Sequence, residues 1–397
     1  MSRRRRIALL IESSRAIGRD LLCGIADYAR TYGPWTFYHE ERSLGDPIPA
    51  SLRSWGPEGV LARVEAASQV RQLRALGVPV VGLSHQDDAR GLPSVIVDPA
   101  AIVRLAVDHL WQCGLRQFAY CGFDGFAFSD QRRRLFVEYL NGLGCEAHVF
   151  DGRRQTRPAR LASTEVRAQR DLARLVRWLE GLPKPVGLVA CNDMRAYQVL
   201  TACGEAGIAV PDRVAVIGVD NDPVQCALCD PPLSSIDSNG RKVGYEAAAL
   251  LDRLVAGQGV QRKLVLIEPL GVVARQSTDV LAVSDREFVE IARYVREHAH
   301  QGLTVAELVH HTSLSRSTLE RRFAANLGHS VNAEIDRVKL ERVRELLLST
   351  DLPLGEVARL AGFTHVETMH RLFKKATGQT PGQCRSARQV GATGRQT

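Results

Sequence analysis

The sequence predicts a two-lobed α/β unit followed by an all-α unit of two helix-turn-helix motifs. Three observations carry this reading. From residue 7 to about 275, short apolar runs alternate with amphipathic helical stretches. After "ARQSTDVLAV" (274–283) the strand-like texture gives way to helices. The helical remainder repeats itself at a spacing of 50 residues: Leu319 and Phe323 recur as Met369 and Phe373, and Gly328 with Ser330 recurs as Gly378 with Thr380. The expected domains are 1–278 and 279–397, with motifs at about 303–328 and 352–378.

In the first unit, "IALLIES", "GVLARV", "VPVVGLS", "SVIVD", "QFAYCGF", "VGLVACND" and "VAVIGVDND" are nearly continuous in Val, Ile, Leu and Ala, as buried parallel strands are. Helical segments are expected between them at 18–31, 100–113, 131–143, 165–181, 193–206 and 240–256. A βαβ alternation this long implies parallel sheets, and its length favours two lobes over one sheet. Ligands of such sheets bind beyond the carboxyl ends of the strands. Polar residues cluster at those ends: Ser13, Ser14 and Arg15, then Asn192 and Asp193, then Asp220 and Asn221. Carboxylates, amides and guanidinium groups converging in a cleft suit a polyhydroxylated ligand, because each can fork onto adjacent hydroxyls. Asp193, at a helix start, fits capping and ligand contact equally well. A basic helix start at "SDQRRR" adds to the case for a cleft.

Bulk composition narrows the class. Hydrophobic content of 45% with 24% charged residues is that of a globular protein. A net charge of +8 favours an acidic partner such as nucleic acid, although only six of the 52 basic residues are lysine, so arginine-rich composition contributes. Nine cysteines without regular spacing predict reduced thiols in a cytoplasmic protein. Cys226 and Cys229 form a lone CxxC, which without a second pair makes no zinc site. The apolar run after "MSRRRR" is too short for a signal peptide, and no run of membrane-spanning length occurs. No Gly-rich phosphate loop, GxSxG elbow or HExxH motif points to an enzyme.

In the second unit each half reads as helix, tight turn, helix: "TVAELVHHTSLSRSTLERRFAANLG" and "PLGEVARLAGFTHVETMHRLFKKATG". Ser315, or Ser317 with Glu320 as a capping box, starts the second helix of the first motif. Leu319, Phe323 and Leu327 form its buried stripe, so Ser317, Glu320, Arg321 and Ala324 face away and would enter a major groove. Arg321 can bind guanine O6 and N7 bidentately; Arg316 and Arg322 suit phosphates, and Thr318 completes the set. In the second motif Phe363, Met369, Leu372 and Phe373 face inward. His365, Glu367, Thr368 and Arg371 then point outward, with Lys374 and Lys375 toward the DNA backbone. Between the motifs, a helix over about 332–348 would be about 26 Å long and would set the reading helices about one DNA turn apart.

Two resemblances follow from these residues. "VGLVACNDMRAYQVL", "GIAVPDRVAVIGVDND" and "PPLSSIDSNGRKVGYEAAALL" resemble the effector domain of the lactose-repressor and periplasmic sugar-binding superfamily over about 7–275. This implies a periplasmic-binding-protein-like fold, two similar lobes closing over a sugar, and three chain crossings between lobes. It also implies a sugar-contacting arginine, for which Arg132 is the best match and Arg133 its neighbour. The family's Asn-Asp pair falls on Asn192 and Asp193, and its late aspartate on Asp220. Lactose-repressor relatives carry a helix-turn-helix ahead of the first effector strand, where this chain has "MSRRRR".

Residues 285–390 resemble the paired helix-turn-helix domain of the arabinose-regulator (AraC) family. "FKKATGQTPGQCR" stands close to its signature, with Cys384 where an aromatic residue is usual. The combination resembles that of the xylose-operon regulators. It implies a cytoplasmic transcription factor, usually an activator, with no cofactor and with D-xylose as effector. The implied partners are promoter DNA, a second copy of the chain and RNA polymerase, with no membrane. The alternatives are a different sugar, or a carbohydrate receptor that does not bind DNA.

Overall fold

The computed structural model describes residues 4–84, 91–151, 161, 172–259, 264–279, 286–350 and 352–385. The chain divides into two compact units, Met1–Ala282 and Val283–Thr397.

The first unit contains two six-stranded sheets. Lobe one has the order β11-β5-β4-β3-β1-β2, with β1 Arg5–Leu10, β2 Trp35–His39, β3 Gly59–Ala62, β4 Val80–Gly82, β5 Ser94–Val97 and β11 Leu264–Ile267. Lobe two has the order β12-β10-β9-β8-β6-β7, with β6 Phe118–Cys121, β7 Ala147–Val149, β8 Val186–Ala190, β9 Val214–Val219, β10 Ser234–Asp237 and β12 Gly271–Val273. All pairings are parallel except β10 with β12. The chain crosses between lobes after β5, after β10 and again after β11, the three crossings that the family resemblance implies.

All seven predicted strands exist, because their unbroken apolar composition can only be satisfied between two helical layers; β3, β5, β6, β8 and β9 are buried along their whole length. Five further strands carry weaker patterns. β2, "WTFYH", is an edge strand with no fully buried residue, and β10, "SSID", buries two serines. β7, β11 and β12 are short edge strands, only partly buried. The predicted helices sit within a few residues of their expected places, at Ala16–Tyr32, Pro99–Gln112, Ala127–Gly142, Asp193–Glu205 and Gly240–Val255. Leu172–Gly181 matches the end of the segment expected at 165–181, whose earlier part lies outside the described residues.

Glycine fixes one packing distance in lobe one. Helices Ala16–Tyr32 and Gly240–Val255 pack so closely that a Cβ at Gly24 would run into the carbonyl oxygen of Arg241, and one at Gly244 into that of Leu21. The obstacles are backbone, so relief requires the helices to separate.

The second unit is helical: Arg286–His298, Val305–Thr312, Arg316–Leu327, Val331–Ser349, Leu354–Leu360 and Val366–Thr377. Leu319 and Phe323 are fully buried, and Phe323 meets Phe288 edge-on at 4.9 Å between ring centres. Met369 and Phe373 pack with Val343, Leu347 and Val357 in the second motif's core. The sequence repeat is therefore a structural repeat. Gly328 (φ 73°) and Gly378 (φ 74°) each end a helix in the left-handed conformation. Ser330 and Thr380 then each cap the following turn, accepting the amides of Ala333 and Gln383 at 3.2 Å.

Gly24→Ala tests the helix contact. Alanine adds helix propensity worth about 1 kcal/mol, but overpacking costs about 1–3 kcal/mol. A net fall in thermal midpoint is expected, while Gly204→Ala, where a Cβ meets nothing, should be neutral or stabilising.

Candidate functional site

The carboxyl ends of β1, β3, β8 and β9 converge on one cleft between the lobes. Its lining includes Glu12, Arg15 and Arg63 from lobe one, with Arg132, Asn192, Asp193, Asp220 and Asp222 from lobe two. Phe128, Ile17 and Val97 supply apolar walls. All of these polar groups but Arg132, which lies on helix Ala127–Gly142, follow a strand end, and Asn192 and Asp222 cap the helices that begin after them. Asn192 accepts the amide of Arg195 at 2.9 Å and is the cap of helix Asp193–Glu205.

Asp193 is neither a simple cap nor an open ligand hook. It is 3% exposed. One carboxylate oxygen accepts the hydroxyl of Ser235 at 2.5 Å, and the other accepts the backbone N–H of Asp222 at 2.7 Å. Burial, and then the nearby Asp220, push its pKa well above the usual carboxylate range. Gly218 on β9 makes room for it, since a Cβ there would meet the Asp193 carboxylate. Asp193 thus holds the turn 220–222 from below.

That turn is strained. Asp220 (φ 102°) and Asn221 (φ 50°) are consecutive non-glycine residues at positive φ. Ser238 donates to Asp220 at 2.8 Å. Asn221 receives Arg275 on its side-chain oxygen at 2.8 Å, and its own N–H donates to Ser235 at 3.0 Å. These bonds over-determine the conformation and aim Asp220 into the cleft. Asn221 is spent on holding the turn.

The two arginine candidates separate cleanly. Arg132 is 5% exposed, lines the cleft, donates to the Cys191 carbonyl and lies 5.7 Å from the Phe128 ring centre. Its buried Nε has no partner among the described residues. Arg133 turns away to pair with Asp124 at 2.9 Å and Asp130 at 3.1 Å. On the lobe-one side, Arg15 lines the cleft, whereas Ser13 bonds Glu41 and Ser14 is exposed.

Sequence reasoning missed Glu12, Arg63, Phe128 and Asp222. Glu12 and Arg63 form a buried ion pair, with side chains 5% and 12% exposed. The strand-end rule that selected Ser13–Arg15 could have found both. Glu12 sits two residues past β1 inside "LLIESS", and Arg63 follows β3 directly in "GVLARV". The CxxC cysteines serve the same neighbourhood: Cys226 contacts Asp193 at 3.7 Å, and burial pushes the Cys229 thiol up to about 12.

In the second unit the cap of the first reading helix is Ser315, which accepts the amide of Thr318 at 3.2 Å; Ser317 instead points its hydroxyl back to Ser315 at 3.0 Å. Arg316, Ser317 and Arg321 are exposed. Thr318, Glu320 and Arg322 are half-buried and engaged within the unit: Glu320 accepts the amide of Val331 at 3.2 Å, and Arg322 pairs with Glu287 at 2.8 Å. In the second motif His365, Glu367, Arg371, Lys374 and Lys375 are exposed, and Thr368 is half-buried.

The helix Val331–Ser349 between the motifs is about 28 Å long at 1.5 Å per residue. Glu334 anchors its first turn. It is 1% exposed, and its carboxylate takes His329 at 2.9 Å and Arg337 through two nitrogens at 2.8 Å. Burial would raise its pKa, but Arg337, His329 and Arg296 outweigh burial and hold it at about 2.

The fold and these two surfaces define a ligand-responsive DNA-binding transcription regulator: a binding-protein-like effector unit with a double helix-turn-helix unit. The model of the periplasmic binding protein-like domain matches residues 107–278, and that of the helix-turn-helix domain matches 308–387. The xylose operon regulatory protein of Escherichia coli (strain K12) is 30% identical, over 97% of this chain and 97% of its own length. That of Haemophilus influenzae (strain Rd) is 29% identical, over 96% and 98%. A solved structure, the xylose-binding transcription activator xylR, superposes with a TM-score of 0.75 at 29% identity, covering 97% of this chain and 99% of that one. The chain belongs to the family of xylose operon regulatory proteins, whose members are transcription regulators and not enzymes. Among the described residues no helix is long and apolar enough to cross a membrane.

Glu334→Gln tests the anchor. A folded-state pKa of about 2 against the ordinary 4.5 means a contribution fully present above the ordinary value and lost as pH falls toward 2. The variant should lose about 3 kcal/mol at pH 7. Denaturation across pH should show the gap to wild type closing between about pH 4.5 and 2.

Proposed function

We propose that the chain is a D-xylose-responsive activator of pentose-utilisation genes, acting in the cytoplasm as a homodimer on promoter DNA and engaging RNA polymerase there. The observation that carries the effector is the cleft itself. Arg132, whose buried Nε has no partner among the described residues, faces Asp220 and Asn192 from the same lobe and the Glu12–Arg63 pair from the other. Such alternating donors and acceptors match the vicinal hydroxyls of a small sugar, and Phe128 offers an apolar face to its C–H side. The relatives' names supply xylose as the first sugar to try. Isothermal titration against a monosaccharide panel should give heat with D-xylose, and Arg132→Ala should abolish it. Silence with every monosaccharide would remove the sugar reading.

The DNA-reading residues are proposed on exposure and helix geometry. Arg321 and Arg371 occupy corresponding positions, 50 residues apart, on the exposed faces of the two second helices. Each is assigned to base edges, with Arg316, Lys374 and Lys375 on phosphates. Arg321→Ala and Arg371→Ala should each weaken specific binding by about 1–3 kcal/mol and relax sequence preference, while Lys374→Ala should weaken all sequences alike and flatten the salt dependence. Fluorescence anisotropy with specific and scrambled duplexes distinguishes these outcomes. Unchanged specificity in both arginine variants would overturn the assigned face.

A further inference from the structure

Asp222 uses its two carboxylate oxygens in two different lobes. One accepts the amides of Val224 at 3.0 Å and Gln225 at 3.3 Å, capping the short helix that follows β9. The other reaches lobe one, accepting the N–H of Ala16 at 3.1 Å and standing 3.4 Å from Arg19 Nη2. Ala16 and Arg19 lie in the first turn of helix Ala16–Tyr32, whose own cap residue, Arg15, makes no side-chain cap bond. That helix also has no acidic residue in its first turn. The anion that a helix start favours is therefore supplied from the opposite lobe.

We propose that Asp222 and Arg19 form an inter-lobe latch that favours the closed arrangement and so sets effector affinity, with Arg19 a positioning residue that does not touch the effector. The inference deepens the effector-cleft reading and rests on it for its consequence. Arg19 does not line the cleft, and its side chain is 44% exposed against 10% for Asp222. A ligand that needs the closed arrangement binds with an affinity scaled by the closed fraction, so a residue outside the contact set can change that affinity. A half-exposed ion pair is also screened by salt. A neutral sugar would then bind more weakly as salt rises, and the latch is the part of that dependence which Arg19 controls. Arg19 also donates to the Ser13 carbonyl at 3.1 Å, within its own lobe. Loss of affinity in one variant is therefore not diagnostic alone, and the test needs a closure readout.

The full chain would carry a fluorophore pair on exposed Arg53 in lobe one and Glu205 in lobe two, and inter-lobe distances would be recorded without sugar at low and high salt. Wild type should populate one distance at low salt and gain a second as salt rises. Arg19→Ala should show the second population already at low salt. Asp222→Asn, which retains a capping side chain, should do the same, and the double variant should add little. Identical distributions for wild type and Arg19→Ala would overturn the latch. D-xylose titration should then show about threefold weaker binding for Arg19→Ala, with the salt dependence reduced; equal affinities and equal salt dependence would also overturn it. Predicted distance shifts in a protein that ignores D-xylose would remove the effector reading and leave the latch standing.

Discussion

The buried carboxylate of Asp193 is the point on which the effector unit turns. It sits at the start of the helix after β8 and reaches under the end of β9, where Gly218 admits it, to take the amide of Asp222. Desolvating a carboxylate is costly, and its hydrogen bonds to Ser235 and Asp222 offset only part of that cost, so its pKa stays raised. What it holds is a turn with two consecutive residues at positive φ, which exposed to solvent would relax. The turn in turn aims Asp220 into the cleft and Asp222 across it. One buried acid thus orders both a ligand-facing group and a bridge to the other lobe.

The DNA-binding unit is built on a different constraint. Each motif ends in a left-handed glycine followed by a hydroxyl cap, so helix directions are set twice by the same local chemistry. Glu334 then ties the intervening helix to His329 in the preceding turn and to Arg337 one turn on. Internal ion pairs consume part of the unit's positive charge. Arg322 on Glu287 and Arg337 on Glu334 and Glu341 are examples. The reading helices keep exposed cations, Arg316 and Arg321 on one and Arg371, Lys374 and Lys375 on the other, while Arg342, Arg344 and Arg359 are exposed elsewhere in the unit.

Much of this was legible in the sequence, and the illegible parts have identifiable physics. Buried parallel strands announce themselves because both faces must be apolar, whereas β2, β7, β11 and β12 lie at sheet edges, where one side meets solvent and the apolar run breaks. The repeat at 50 residues was readable because glycine and buried aromatic positions tolerate few substitutes in that geometry. Side-chain direction was less readable. Arg132 and Arg133 are adjacent, and a helix turns about 100° per residue, so a single step decides between cleft and surface ion pair. Glu12 meets the same strand-end rule as Ser13–Arg15, but one residue past an apolar run it reads as part of the strand until its pairing with Arg63 is seen. Asp222 was hidden because its partners, Ala16 and Arg19, are some two hundred residues away and meet it only once the lobes are assembled.

A sugar-responsive regulator requires occupancy of the effector cleft and DNA binding to be energetically coupled within one chain. The most direct measurement is affinity for a specific promoter duplex with and without saturating D-xylose, paired with D-xylose affinity with and without that duplex. Coupling requires the two ratios to be equal and different from one, because linkage is reciprocal. Ratios of one in both directions, with both ligands bound, would contradict it.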